Sequence, residues 1–368
     1  MGIGRFAFTP LLPMMLTERS VTFSQGAWLA AANYVGYLIG AVASFQLMPR
    51  PETALRFALV SVALATVAMA ATDSYWVWIG LRCAAGVASA FALVGASAWT
   101  LGRLSALQPS DLSGWVFAGV GVGLVFAGVV TIAAVATGYR ASAAWTLLGC
   151  SAAVVAAFVW PALGTRVSSA TSSASSAVPA RLGVVEWSLI LCYGIFGLGY
   201  IIPATFIPAI ARTLVDDPRI FGLAWPLFGV AAAASTVFVT RYLHRTPPRT
   251  VAIWSLLMMA VGVALPALVT NISAIAISAL CVGGTFMVMT MAGFQEARRI
   301  SPGSPARLIA IMTAAFALGQ LVGPILVGVD AARAEAVVLP SLIAAGGLVA
   351  AAATLAFGPG KPRNEFGD

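Results

Sequence analysis

Charge is what this sequence has least of. Only 9% of its 368 residues are Asp, Glu, Lys or Arg, while 60% are hydrophobic, and the mean hydropathy is +0.97. A water-soluble domain carries about 25% charged and about 45–50% apolar residues, so no soluble fold could cover this much apolar surface. The chain belongs in a bilayer. Histidine is almost missing as well: His244, in a basic loop, is the only one. That excludes a histidine-based metal centre or catalytic dyad. Cysteine is scarce, and Cys83, Cys150, Cys192 and Cys281 each lie inside an apolar run with no CxxC or Cys/His spacing. They read as small packing residues, not as disulfides or metal ligands. GxSxG, Walker-loop and HExxH motifs are all absent. No catalytic residue, metal or cofactor is expected, and the chain does not read as an enzyme. The formal charge of +8 points to membrane orientation and not to nucleic acid, because the basic residues lie in short loops between apolar runs.

Long hydrophobic runs are what the sequence has in abundance. A hydrocarbon core about 30 Å thick needs roughly 20 apolar residues at 1.5 Å per residue. Such runs cover 23–47, 55–72, 75–102, 113–137, 142–163, 183–212, 220–241, 250–269, 272–297, 307–329 and 337–358. They predict eleven full spans, with residues 1–17 as a shortened twelfth. Placing 48–54, 103–112, 164–182, 242–249, 298–306 and the tail on one side, with nearby span ends, gathers thirteen of the twenty basic residues there, against five opposite. The positive-inside rule then puts the C-terminus in the cytoplasm of a multi-pass protein of the plasma (inner) membrane. The Ser/Ala-rich stretch 164–182 reads as a flexible cytoplasmic linker. The expected plan is an all-α membrane protein: a six-helix bundle over 1–163, the linker 164–182, a second six-helix bundle over 183–358 and a cytoplasmic tail over 359–368. A monomer is expected.

The two bundles read as duplicates. "GIGRFAFTPLLPMM" (2–15) matches "GLGYIIPATFIPAI" (197–210) at an offset of 195, with Gly2, Gly4 and Pro13 falling on Gly197, Gly199 and Pro208. Gly119, Gly123 and Gly128 match Gly319, Gly323 and Gly328 at an offset of 200. "CAAG" (83–86) meets "CVGG" (281–284), and Trp28 meets Trp225. An even number of spans per repeat gives both halves the same orientation, the arrangement of transporters that rock about a central site. By the same match, about fourteen residues precede Gly197 in its span where only Met1 precedes Gly2, so the first helix is expected to lack its first half. The glycine stripes and Pro324 are candidates for helix packing and gating.

Twelve spans in two halves, a long middle connection and "LRCAAG" in span four resemble the major facilitator superfamily. "GIGRFAFTPLLPMM", "ANYVGYLIGA", "GLGYIIPATFIPA" and "GQLVGP" resemble its YbfB/YjiJ-type branch. The resemblance runs over essentially the whole chain and implies that fold and solute transport, without naming a cargo. It also implies that spans one and four line a central cavity, with Arg82 and Gly86 matching a span-four R-x-x-x-G motif. The loop "MPRPETALR" lacks the superfamily's G-x-x-x-D-R-x-G-R-R gating signature, so that gate is not carried over.

Arg5 and Arg82 are the two basic residues inside spans. A mid-membrane arginine costs roughly 2.5–3.5 kcal/mol on insertion scales and faces water or a partner. No acid lies at comparable depth: Glu186 and Glu296, near span ends, are the only coupling candidates. Two arginines without acids attract anions, and the guanidinium fork suits a carboxylate or phosphate. Arg82 has the alternative role of bonding backbone carbonyls. Asn33, Tyr34, Tyr37, Tyr193, Tyr200, Thr205, Thr290 and Gln320 complete the candidate substrate-binding set. The expected function is secondary transport of a small organic anion, with a proton or counter-substrate as the second partner. Multidrug or sugar efflux is the alternative, and a non-transporting sensor a distant one.

Overall fold

The computed structural model describes residues 1–47, 50–107, 113–164, 182–214, 222–302, 305–327 and 334–358, and their regular structure is entirely helical. The first half comprises α1 (Gly2–Phe6), α2 (Phe8–Thr17), α3 (Phe23–Leu47), α4 (Pro51–Ala68), α5 (Tyr75–Leu107), α6 (Ser113–Ala136) and α7 (Ala141–Val159), the last continued by a 3₁₀ turn, Trp160–Gly164. The second half comprises α8 (Val184–Leu214), α9 (Ala224–Tyr242), α10 (Pro248–Leu268), α11 (Ile272–Ile300), α12 (Pro305–Val327) and α13 (Ala334–Phe357). Helices α1 and α2 form one span broken at Ala7, so each half contributes six. Residues 165–181 of the expected linker and the tail 359–368 lie outside the described residues.

Ten of these helices are long and apolar enough to cross a membrane. The expectation was eleven. The run at 220–241 is helical from Ala224, but Ser235, Thr236, Thr240 and Arg241 crowd its second half. That helix packs along α6 and α11, and the Thr236 and Thr240 hydroxyls donate back to the carbonyls of Ala232 and Thr236. Its hydroxyls are thus satisfied within the helix and do not oppose a place in the bilayer. Large apolar side chains such as Trp76, Phe158, Trp254 and Phe357 are exposed, forming the outer surface that a bilayer would cover.

Local chemistry sets the helix starts. Thr22 and Gln25 cap α3 reciprocally: Thr22 N–H donates to Oε1 of Gln25 at 2.8 Å, and Gln25 N–H to Oγ1 of Thr22 at 3.2 Å. Pro51 and Pro248 open α4 and α10, where a missing N–H costs nothing. Oδ1 of Asn271 accepts from Ala274 N–H at 2.8 Å to cap α11.

Glycine decides which helices touch. A Cβ on Gly36 would collide with the Cys83 carbonyl, and one on Gly86 with the Asn33 carbonyl, so α3 and α5 cross backbone against backbone. In the same way Gly2 lies on Gly123, Gly319 on the Gly194 carbonyl, and Gly197 on the Phe316 carbonyl. The contact of α1 with α6 in one half thus has its counterpart in α8 with α12, as the repeat predicts. The halves meet where α3 packs on α12 and α6 on α9.

Candidate functional site

The break in the first span lies beside the molecular centre. Pro10 has no N–H, so the Phe6 carbonyl loses the donor an unbroken helix would give it. Arg5, one residue before Phe6, is only 2% exposed. Its guanidinium carbon lies 3.8 Å from the ring centroid of Tyr37, 5.3 Å from that of Phe6 and 5.7 Å from that of Phe316. Nη2 of Arg5 donates to Oε1 of Gln320 on α12, across the two halves. Gln320 is fully buried. Nε and Nη1 of Arg5 and Nε2 of Gln320 have no hydrogen-bond partner. Among the described residues no ion pair involves Arg5 or Arg82.

Arg82 is equally buried, and each of its three nitrogens has a partner. Nε donates to Leu29 O at 3.4 Å, Nη1 to Gly4 O at 3.4 Å and Nη2 to Arg5 O at 3.3 Å, with the Phe8 ring centroid 4.6 Å from its guanidinium carbon. Gly86, one turn further along α5, admits α3 closely enough for this reach. Nδ2 of Asn33 donates to Arg82 O at 2.9 Å. Arg82 thus braces the broken span from behind, with Arg5 on its front, while Asn33 ties α3 to α5 beside it.

The other candidates fall into two layers. The Tyr34 hydroxyl and Thr205 Oγ1 lie 3.4 Å apart, a second link between the halves. Tyr200 is buried, with its ring stacked on Phe286 at 4.6 Å and 10° and edge-on to Phe6 at 6.5 Å. Below them the Tyr193 hydroxyl donates to Thr290 O at 3.4 Å, while Thr290 Oγ1 donates to Phe286 O at 3.0 Å. A void of about 10 Å³ is lined by Tyr37, Leu93, Tyr193, Phe286, Thr290, Thr313 and Phe316, among others. The central cavity expected between the halves is, in this structure, a packed aromatic centre, and Arg5 lies against Gln320 and ring faces there. Among the described residues no cluster of three His, Cys, Asp or Glu could hold a metal ion.

The coupling candidates lie away from this centre. Glu296 is buried near the end of α11, and both carboxylate oxygens accept from Arg299, at 2.9 Å each. Glu186 lies in the first turn of α8, where Oε2 accepts from Gly183 N–H at 3.0 Å. Of the glycines, Gly123 packs on Gly2, Gly128 on Pro226 and Gly323 on Ile201, while Gly119 faces open space. Pro324 is within α12, and Gly328 lies outside the described residues.

Sequence reasoning missed Phe6, Phe286 and Phe316, which line the centre. A signal was available: Phe286 and Phe316 stand one turn before Thr290 and Gln320, on the same helix faces. It also missed Gly114 and Gly121, on which α9 rests.

The family described as "Uncharacterised MFS-type transporter YbfB" matches residues 1–356. No curated protein sequence matches the chain. Among solved structures, that of the human organic anion transporter MFSD10 (TETRAN) is similar in fold, with a TM-score of 0.66 at 13% identity over 96% of each chain. The chain belongs to the YbfB-type family of major facilitator superfamily transporters.

Proposed function

We propose that the protein carries a small organic anion across the bacterial inner membrane by alternating access, driven by the proton gradient or by exchange. The bundles 1–163 and 183–358 are the two rocking bodies, the linker 164–182 and the tail 359–368 are cytoplasmic, and the protein acts as a monomer. One observation carries the anionic substrate: Arg5 is buried between the halves with two partnerless N–H nitrogens and no acid paired to it. A buried cation held only by neutral groups is a standing demand for a negative charge. Tyr200 supplies an uncharged hydroxyl at the matching place in the other half, so the grip is asymmetric.

The test is uptake by protein in proteoliposomes from a panel of organic acids, neutral sugars and cationic dyes. Arg5→Lys keeps the charge and loses the fork, so anion uptake falls partially. Arg5→Gln removes about 2–5 kcal/mol of anion binding and leaves neutral solutes unaffected. Equal anion uptake by all three proteins would reduce Arg5 to a structural residue.

A further inference from the structure

Resting on that reading, we propose that the anion is a monocarboxylate with a flat aromatic body. The charge follows from the arginines. Arg82 has a carbonyl partner on each of its three nitrogens, from Leu29, Gly4 and Arg5, whereas Arg5, the other fully buried arginine among the described residues, has two nitrogens with no partner. A second negative charge on the ligand would meet aromatic rings and no cation, at the full cost of desolvating an unpaired ion.

The carboxylate follows from the fork. Nη2 of Arg5 already donates to Gln320. An anion taking Gln320's place on Nη2 reaches a second nitrogen at once, because both neighbours in the planar fork, Nε and Nη1, are partnerless. Two oxygens of one planar group match that bidentate geometry. Nε2 of Gln320, also partnerless, adds a neutral donor beside them.

The body follows from the rings. Tyr37 lies against Arg5, Tyr200 stacks on Phe286 at 4.6 Å and on Phe316 at 5.9 Å, and about 10 Å³ of void remains nearby. When the halves part, the cross-half ring contacts of Phe6 with Tyr200 and Phe286 and of Tyr37 with Phe316 are lost, and a flat aromatic group replaces them. A polyol would not: the Thr290 and Tyr193 hydroxyls donate to backbone carbonyls, and Tyr34 is shared with Thr205. Gln320 Nε2 and the Tyr200 hydroxyl are too few for the several hydroxyls of a polyol, and the rest would go unpaired.

Isothermal titration of the purified full chain in detergent with benzoate, benzamide, acetate and succinate tests the proposal. Benzoate is expected to bind most tightly, and each of the others at least about tenfold more weakly. Arg5→Gln should weaken benzoate by about thirtyfold or more and leave benzamide unchanged. Succinate or acetate binding as tightly as benzoate, but still lost in Arg5→Gln, would overturn the aromatic monocarboxylate and spare the anion reading. So would Arg5-dependent succinate binding with no benzoate binding. Benzoate affinity unchanged in Arg5→Gln would overturn both, as would no binding by any carboxylate. Should Arg5→Gln fail to fold, Phe316→Leu separates the terms: benzoate weakens about tenfold and acetate stays the same. Equal effects on the two ligands, or none, would overturn the proposal.

Discussion

Two arginines at similar burial do opposite things, and the difference lies in what surrounds each guanidinium. Arg82 is a strut. Three carbonyls from two helices converge on it, and a lysine ammonium, a single point without the fork, cannot serve all of them. Arg82→Lys should therefore lower stability by about 1–3 kcal/mol through unsatisfied carbonyls, read as a lower midpoint of thermal unfolding in detergent. Benzoate affinity of the folded protein should change little. Arg5→Lys should show the reverse, with a near-unchanged midpoint and weaker benzoate binding. The sequence marked both residues by depth and by the lack of acids, and it named Arg82's carbonyl alternative. It could not say which arginine was free. That depends on how many carbonyls a broken helix turns towards each one, and carbonyl direction leaves no trace in residue identity.

At the level of helices, glycine position matters more than glycine number. Gly114, Gly121 and Gly128 recur every seven residues, two turns apart, so they form one stripe on α6, and α9 rests on it. Gly123 points elsewhere, to Gly2, and Gly119 to nothing. A glycine-rich helix offers several stripes that look alike in sequence, and only its neighbours select among them. This is why the G-x3-G-x4-G match identified the repeat yet named only part of the seam. Gly86→Val should separate α3 from α5 by forcing a side chain into the Asn33 carbonyl, at a cost above about 3 kcal/mol by overpacking. Size-exclusion chromatography should then show loss of monodisperse protein. Gly119→Ala should be silent or stabilising by up to about 1 kcal/mol, since alanine is the better helix former and meets nothing.

For the whole molecule, the twelve-segment plan and its duplication were readable because apolar runs of span length leave few alternatives. The span expected at 220–241 is present as α9, whose hydroxyl-rich second half packs on α6 and α11. The central cluster was readable in its polar members and not in its aromatic ones, because phenylalanine inside an apolar run resembles every other core residue. Gln320 looked like one polar contact among several. Its contact with Arg5 gives it a further part in the transport cycle. A carrier with a bare buried charge is confined to swapping one bound ion for another, because the unloaded form cannot close over that charge. On the anion reading proposed above, the Gln320 amide oxygen on Arg5 would stand in for the carboxylate in an unloaded carrier, and net flux without a return cargo is the expected consequence. Removing the stand-in should strand the cycle halfway. In proteoliposomes, Gln320→Leu is expected to keep counterflow of labelled benzoate against unlabelled benzoate while net efflux into benzoate-free buffer slows about tenfold or more. If both rates fall together, the glutamine serves only to hold the ligand.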